Sequence, residues 1–152
     1  MNQIVVRALE SRDIDSILAI QSASPEIAQW TRSDYESVLK GEMSGWSCEF
    51  AALGIHAVAG FLVARKVGPD IEILNFAVTP KARRLGAGAA LLKTALDWAH
   101  SSSAEQVILE VRSANEPALR FYAHHKFKIV GRRPNYYSSP ADDALLLTLS
   151  LT

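Results

Sequence analysis

A basic turn that carries two glycines is the first part of the sequence suited to chemistry. Lys81, Arg83 and Arg84 precede Gly86 and Gly88, and a Leu-rich segment follows them. A helix that starts here offers unpaired N–H groups and a partial positive charge, and glycine lets backbone approach an anion closely. The spacing fits neither the dinucleotide fingerprint nor the P-loop. The turn predicts a pyrophosphate site, and an ordinary helix start with a solvated basic face is the alternative.

Glu110 is the sole carboxylate in the apolar run 107–111. Apolar surroundings favour the neutral form of a carboxylate, so they suit it to work as a general base near neutral pH. The alternative is a structural ion pair with Arg112, which would lie on the same face of a strand. The residues alone favour the ion pair slightly.

Tyr122 and Asn115 are two further candidates, both on a predicted helix. Tyr122 falls on the apolar face of that helix, where a tyrosine usually packs in the core with its hydroxyl bonded. Asn115 has the side chain of a helix cap. Ser113 is the alternative cap, because Ser113 and Glu116 have the spacing of a capping box.

The elements that must position these residues follow from hydrophobic periodicity, in the order β-α-α-β-β-β-α-β-α-β-β. Turn signals at 54–56 and 68–70 make the middle strands an antiparallel meander. We expect Asp13 to cap the first helix, Gly41 to end the second, and the run around Glu110 to be a strand buried on both faces. The chain thus reads as a mixed α/β domain. The predicted strands are 4–8, 48–53, 57–67, 71–78, 106–111, 127–131 and 144–151, and the predicted helices are 13–23, 33–40, 88–99 and 115–125.

Composition restricts the class of protein. The 152 residues have the make-up of one soluble globular domain over 1–152. A net charge of zero argues against a nucleic-acid partner. The one cysteine, Cys48, excludes an intrachain disulfide, and adjacent His124 and His125 diverge on a helix, so we assign no metal. Without a membrane-spanning run or a secretory signal, we expect a cytoplasmic protein with no membrane partner.

The basic turn resembles a known family signature. Arg83-x-x-Gly86-x-Gly88, after an apolar strand and Pro80, is similar to the Gln/Arg-x-x-Gly-x-Gly/Ala motif of the GNAT acetyltransferase superfamily. The resemblance implies the GNAT fold, an α/β domain whose mostly antiparallel sheet is flanked by helices and splayed at the fourth and fifth strands. It also implies acetyl-CoA as cosubstrate, with Val78 N–H as the oxyanion donor. The residues it assigns to acetyl-CoA are Phe76, Val78, Arg83, Arg84, Leu85, Gly86, Ala87, Gly88, Asn115 and Tyr122.

A second block, 109–127, is similar to RimI-type enzymes, which acetylate the N-terminal alanine of a small-subunit ribosomal protein. The matching residues are Leu109, Glu110, Val111, Arg112, Asn115, Ala118, Tyr122 and Phe127. The resemblance implies that Glu110 is the catalytic base and Tyr122 the acid toward the CoA thiolate, and that Asn115 contacts the pantetheine arm. Lys126 departs from the pattern, because relatives place glycine there, and it must adopt or avoid a left-handed conformation.

The segment 131–137 resembles the Arg-x-Tyr-Tyr loop of RimI-type and related protein N-terminal acetyltransferases. This implies that Tyr136 and Tyr137 hold the backbone of a peptide acceptor near its N-terminus. Surface aromatics that pack the loop down are the alternative. We expect Trp30, in an early loop, to face them across the cleft. The acidic residues available to attract a positive N-terminus are Glu26 and Glu36.

Three functional hypotheses follow. The first is a RimI-like protein N-alpha-acetyltransferase that transfers directly in a ternary complex, with no covalent intermediate on Cys48. Its partner would be a protein or peptide N-terminus, for example of a ribosomal protein, and we expect a monomer or weak dimer. The second is an enzyme that acetylates a small-molecule amine, such as an aminoglycoside, polyamine or amino acid. The third, a non-catalytic acyl-CoA-binding module, is disfavoured by Glu110 and Tyr122.

Overall fold

The computed structural model describes residues 3–50 and 57–152, and a twisted sheet organises them. Within those residues seven strands lie in the order β1-β2-β3-β4-β5-β7-β6. The strands are β1 Ile4–Ala8, β2 Ser44–Phe50, β3 Val58–Val67, β4 Asp70–Val78, β5 Gln106–Arg112, β6 Lys128–Ser138 and β7 Ala141–Ser150. The helices are α1 Ile14–Ser22, α2 Arg32–Val38, α3 Ala87–Ser101 and α4 Glu116–His124, with 3-10 turns at Ser11–Asp13 and Pro80–Ala82. This confirms the predicted order of elements and the mixed α/β class.

The sheet opens between β4 and β5. All other neighbouring strands pair antiparallel, whereas β4 and β5 are parallel and pair only from Asp70–Gln106 to Glu72–Ile108. Beyond that point the two strands diverge, and residues 73–78 of β4 present an edge that β5 does not cover. The splay expected at the fourth and fifth strands is therefore present, and it leaves a backbone edge free to bind something else.

A separate apolar core lies on each face of the sheet. On one face α3 and α4 pack over the strands and bury Leu91, Leu92 and Tyr122. On the other face α1 and α2 cover β3 and β4 and bury Ile17 and Tyr35. None of the helices in 3–50 and 57–152 is long and apolar enough to span a bilayer.

Several strand predictions need correction. The strands predicted from 48 and from 144 begin earlier, at Ser44 and Ala141. The strand predicted at 127–131 is longer, because the segment taken for a loop continues to pair with β7 through two irregularities in register. Residues 106–111 form β5 as predicted, but burial alternates along it, so Glu110 lies on a half-exposed face. The predicted strand residues 51–53 and the turn 54–56 lie outside the described residues.

Asp13 does not cap α1, contrary to prediction. Its buried carboxylate instead accepts hydrogen bonds from the Arg7 guanidinium at 2.8 Å, from Ser47 Oγ at 2.9 Å and from the Glu10 N–H at 2.8 Å. Burial alone would raise the pKa of this carboxyl, but the hydrogen bonds outweigh it and hold the pKa below its ordinary value. The residue thus ties β1 to β2 and to the start of α1.

Other helix ends agree with the sequence. Gly41, at φ +100°, follows the end of α2. Asn115, rather than Ser113, caps α4 by accepting from the Ala118 N–H at 3.3 Å. Lys126 adopts the left-handed conformation with φ +74°, so the chain leaves α4 as a glycine would allow, at the cost of backbone strain.

Candidate active site

The basic turn ends β4 and starts α3, and it exposes a group of backbone donors. Gly86, at φ +94°, is the N-cap residue of α3, which makes no side-chain cap hydrogen bond. In the part of the chain that the structure describes, the N–H groups of Gly86, Ala87, Gly88 and Ala89 find no acceptor, and the first turn holds no acidic residue. These donors coincide with the positive end of the helix dipole, so the turn has the properties of an anion site.

The two glycines of this turn, Gly86 and Gly88, differ in conformation and in surroundings. Gly86 needs its positive φ, which side-chain-bearing residues rarely adopt. Gly88 is helical, but a Cβ there would lie 3.4 Å from Phe121 Cε1 and 3.7 Å from Val78 Cγ2. Those are ordinary van der Waals distances, so packing at this position does not by itself require glycine.

The basic side chains of the turn divide into two groups. Arg84 is exposed, as is Leu85, and Arg84 itself has φ +64°. Arg83 turns back into the protein: its Nε donates to the Val78 carbonyl at 3.2 Å and its Nη2 to Ser24 Oγ at 3.3 Å. The same guanidinium lies 3.9 Å from Glu26. Arg83 thus joins the end of β4 to the loop after α1.

The free edge of β4 aims two backbone donors into the opening. Opposite residues of an antiparallel ladder alternate between bonded and non-bonded pairs. The Thr79 N–H donates to the Ala59 carbonyl of the β3 side at 2.7 Å, so the N–H groups of Val78 and Phe76 point the other way. Among the residues that the structure describes, Phe76 N–H contacts only its neighbour's side chain, Asn75 Oδ1, at 3.2 Å. Both donors that the sequence assigned to acetyl-CoA therefore face the edge left uncovered by β5.

Glu110 lies across this opening on β5. Its side chain is 27% exposed, and Oε1 lies 3.0 Å from Arg133 Nε on β6. Among the described residues Oε2 accepts no hydrogen bond, and the closest approach of Arg133 is to Oε1. The ion pair with Arg112, which the sequence favoured, is not formed, because Arg112 reaches past β7 to the β6–β7 turn. The carboxylate thus keeps one oxygen available to a bound amine.

Tyr136 and Tyr137 lie on β6 against the two arginines nearest Glu110, but they are not equivalent: Arg133 is 5.8 Å from the Tyr136 ring centre, and Arg112 is closer to Tyr137. The Tyr137 ring sits 4.0 Å below the Arg112 guanidinium and is half-buried. Burial, followed by the negative charge of Glu110, raises the pKa of the Tyr137 hydroxyl. Tyr136 is 55% exposed and packs edge-on against Tyr137 with ring centroids 5.0 Å apart.

Tyr122 is buried in α4 beside the free edge of β4. Its ring contacts Phe76, Phe121 and Phe127 with centroids 5.4 to 6.4 Å apart. No residue of 3–50 or 57–152 bonds its hydroxyl, and no fully buried side-chain oxygen there lacks a partner, so the hydroxyl reaches an accessible surface. Burial raises its pKa, which keeps the hydroxyl protonated at neutral pH and able to donate a proton or hydrogen bond.

The loop that follows α1 is fixed by a buried polar network that the sequence analysis missed. Tyr35 Oη donates to Gln21 Oε1 at 2.5 Å, and Asn75 Nδ2 donates to Tyr35 Oη at 3.0 Å and to the Ala28 carbonyl at 3.1 Å. Gln21 also bonds both backbone groups of Trp30, at 2.8 and 2.9 Å. The signal available in the sequence was Asn75, a polar residue at a buried position of an apolar strand.

Trp30 lies in this loop with its ring 5.2 Å from Tyr35, and within the described parts of the chain it makes no ring contact with Tyr136 or Tyr137. Its place in a substrate site stays a prediction. Cys48 is fully buried, and burial raises the pKa of its thiol to about 11, which leaves it a poor nucleophile. Glu36 is exposed.

Comparison with known proteins gives one family. The model of the Acetyltransferase (GNAT) family matches residues 14–127, three quarters of the chain. A Bacillus subtilis (strain 168) protein, provisionally named ribosomal protein bS18-alanine N-acetyltransferase, is 29% identical over 150 residues, which is 96% of this chain and 95% of that protein.

Solved structures agree on the fold. Ard1 from Thermoplasma volcanium is 28% identical with a TM-score of 0.82 and covers 98% of both chains. The ribosomal-protein-S18-alanine N-acetyltransferase from Escherichia coli superposes with a TM-score of 0.85 at 23% identity, over 99% of this chain and 95% of that one. The second likeness is evidence for the fold alone.

Proposed function

Since this chain belongs to the acetyltransferase (GNAT) family and is an acetyl-CoA-dependent N-acetyltransferase, we propose that its acceptor is the N-terminal α-amino group of a protein. The observation that carries the proposal is a pair of guanidinium contacts around Glu110. Arg112, on the same strand face as Glu110, lies 4.0 Å from the centre of the Tyr137 ring, and Arg133, which is 3.0 Å from Glu110, lies 5.8 Å from the centre of the Tyr136 ring. The Bacillus subtilis relative, similar over nearly its whole length, supports an N-terminal alanine of a ribosomal protein as the first acceptor to test.

The residues present fit acetyl-CoA, which supplies the activated acetyl thioester when bound. The free N–H groups of Gly86 to Ala89 and the exposed Arg84 suit its pyrophosphate. The N–H groups of Phe76 and Val78 on the free edge of β4 suit the amide-bearing pantetheine arm, which would lie there as a further strand. Arg83 would hold the end of β4 in place. Its guanidinium lies 3.9 Å from Glu26 and would be able to pair with a bound phosphate instead.

Glu110 serves as the base in this proposal. An α-ammonium group must lose a proton before its nitrogen attacks a thioester. The free Oε2 is the atom that accepts this proton, directly or through one water, while Arg133 keeps Oε1 in place. The charge of the carboxylate also attracts the ammonium form of the acceptor.

The remaining roles fall to Val78 and Tyr122. The Val78 N–H donates to the thioester carbonyl oxygen as negative charge develops there. The accessible Tyr122 hydroxyl donates to the departing sulfur, and its raised pKa ensures that the proton is present. Transfer is direct, because buried Cys48 is not a suitable acyl carrier. We also propose that the protein is cytoplasmic, that it acts as a monomer or weak dimer, and that it needs no metal.

A panel of acceptors tests the proposal. Purified protein with acetyl-CoA is given short peptides that begin with alanine, the same peptides blocked at the N-terminus, and a polyamine, an aminoglycoside and free amino acids. We expect acetylation of the open peptides and not of the blocked ones, read by mass spectrometry. Activity on small amines alone would exclude a protein N-terminus as acceptor. Binding of acetyl-CoA without transfer to any amine would favour a binding module.

A further inference from the structure

We propose that Arg112 is a positioning residue for the acceptor: it holds Tyr137 next to Glu110 and so sets where the acceptor backbone lies. This inference rests on the proposed function and names a residue that the resemblance to known enzymes left without a role. Arg112 is the last residue of β5, two positions after Glu110 and on the same face of the strand.

Three contacts run from Arg112 to the β6–β7 hairpin. Its Nη1 donates to the Pro140 carbonyl at 2.9 Å, its Nη2 to the Ser139 carbonyl at 3.4 Å, and its guanidinium lies 4.0 Å from the centre of the Tyr137 ring. A planar guanidinium can stack on a ring and bond along its edge at the same time. The hairpin tip is therefore fixed relative to the strand that carries the base.

The register of the sheet explains why this bridge is possible and needed. Arg112 lies opposite Ala144 on β7, which in turn lies opposite Arg133 on β6. Because Ala144 is small, the Arg112 side chain can cross β7 toward the turn. Tyr137 pairs with Asp142, nearer the turn than any β5 partner, so no backbone pairing joins it to the strand of Glu110.

The two tyrosines show what the bridge achieves. Tyr137, under the guanidinium, is half-buried and feels the charge of Glu110, whereas Tyr136 next to it is 55% exposed. Without the stacked guanidinium, the Tyr137 ring would lose the contact that ties it to the strand of Glu110. The acceptor would then bind less tightly, while the acetyl-CoA side, built from β4 and α3, would be unaffected.

The test compares Arg112→Lys, Tyr137→Leu and the double variant in the full chain, with a peptide that begins with alanine as acceptor. Lysine keeps the charge and loses the planar fork. If Arg112 acts through Tyr137, each single change raises the acceptor KM about 10-fold, and the double change raises it no further. The value of kcat and the affinity for acetyl-CoA stay within about twofold of wild type.

Ser113→Ala is the matched control. Ser113 Oγ and the Ala114 N–H anchor the same hairpin through Asp142, the latter at 3.1 Å, without touching Tyr137. We expect it to lower the thermal midpoint without changing the acceptor KM. Equal KM increases in Ser113→Ala and Arg112→Lys, multiplicative effects in the double variant, or a parallel loss of acetyl-CoA affinity would overturn the role of Arg112. A wild-type protein that acetylates only small amines would instead contradict the proposed function.

Discussion

The two sides of the site are built in different ways. The proposed cofactor side is one continuous segment, from the end of β4 through the basic turn to the start of α3, and its donors are backbone N–H groups. The proposed acceptor side is assembled from β5 and the β6–β7 hairpin, and it would work through side chains: Glu110, Arg112, Arg133 and Tyr137.

This difference in construction separates two properties of the enzyme, the binding of acetyl-CoA and the choice of acceptor amine. A backbone site depends on conformation, so it changes little when side chains change and can be shared by many acetyltransferases. A side-chain site depends on a few contacts between distant strands, so small substitutions there alter which amine binds. Changes on one side should therefore leave the function of the other side intact, and each prediction below can break that separation.

The largest effect is expected for Glu110→Gln. Removal of the base should lower kcat on the order of 100-fold or more, and calorimetry should give an unchanged Kd for acetyl-CoA. The matched control is Glu116→Gln, on the exposed first turn of α4, which should keep full activity. Equal rates for Glu110→Gln and wild type across pH would remove Glu110 from the mechanism.

The next effect concerns the conformation of the cofactor turn. Gly86→Ala places a side chain at φ +94°, a strain of about 1–2 kcal/mol that the turn can relieve by moving its N–H groups. We expect the Kd for acetyl-CoA to rise about 10-fold while the acceptor KM is unchanged. Gly68→Ala, at φ +59° in the β3–β4 turn with no atom within 4 Å of its Cβ, is the control. The same loss of affinity in both variants would mean that general instability is the cause.

A smaller effect is expected for Arg133→Gln. Two positive charges lie near Glu110, Arg133 at 3.0 Å and Arg112 on its own strand, together with the neutral hydroxyl of Tyr137. Loss of the guanidinium leaves Oε1 without its ion-pair partner, so the carboxylate is less firmly placed and kcat/KM with the alanine peptide should fall several-fold. Arg132→Gln makes the same charge change at a residue paired with Asp143, and it should leave kcat/KM unchanged. Equal kcat/KM values for Arg133→Gln and wild type would show that the ion pair does not influence the base.

The smallest effect is expected for Tyr35→Phe, which removes the hydroxyl at the centre of the network under the early loop. Chemical denaturation should show a loss of about 1–2 kcal/mol in the free energy of unfolding. Because the network fixes the loop that carries Trp30, the acceptor KM should rise a few-fold and the acetyl-CoA Kd should stay constant. An unchanged acceptor KM alongside the lost stability would place Trp30 and its loop outside the acceptor site.

The same difference decides how much the sequence could predict. The cofactor turn is local, so Gly86 and the start of α3 follow from nearby residues and were predicted, whereas the free edge of β4 was expected only from the resemblance to the family. The contacts of Glu110 and Arg112 depend on the register of β5, β7 and β6, and that register is shifted by irregularities at Ile129–Gly131 and Arg133–Tyr137. Composition does not encode such shifts.

The misjudged length of β6 has the same origin. Pro134 and Asn135 look like turn residues, and Asn135 does adopt φ +55°, but it does so within a bulge of the strand rather than in a loop. The sequence therefore placed the two candidate tyrosines on the wrong kind of element, and their role in binding stays a prediction. Only the register of the sheet shows that Arg112 stacks on the ring of Tyr137 and so makes it different from Tyr136.

The most direct test of the central claim is to locate the acetyl group on a peptide that begins with alanine and also contains an internal lysine. After incubation with acetyl-CoA, fragmentation mass spectrometry distinguishes the α-amino group from the lysine ε-amino group. The account predicts acetylation at the α-amino group by wild type, and its loss in Glu110→Gln. Acetyl groups on lysine alone, on neither amine, or equally on the α-amino group with wild type and Glu110→Gln, would contradict it.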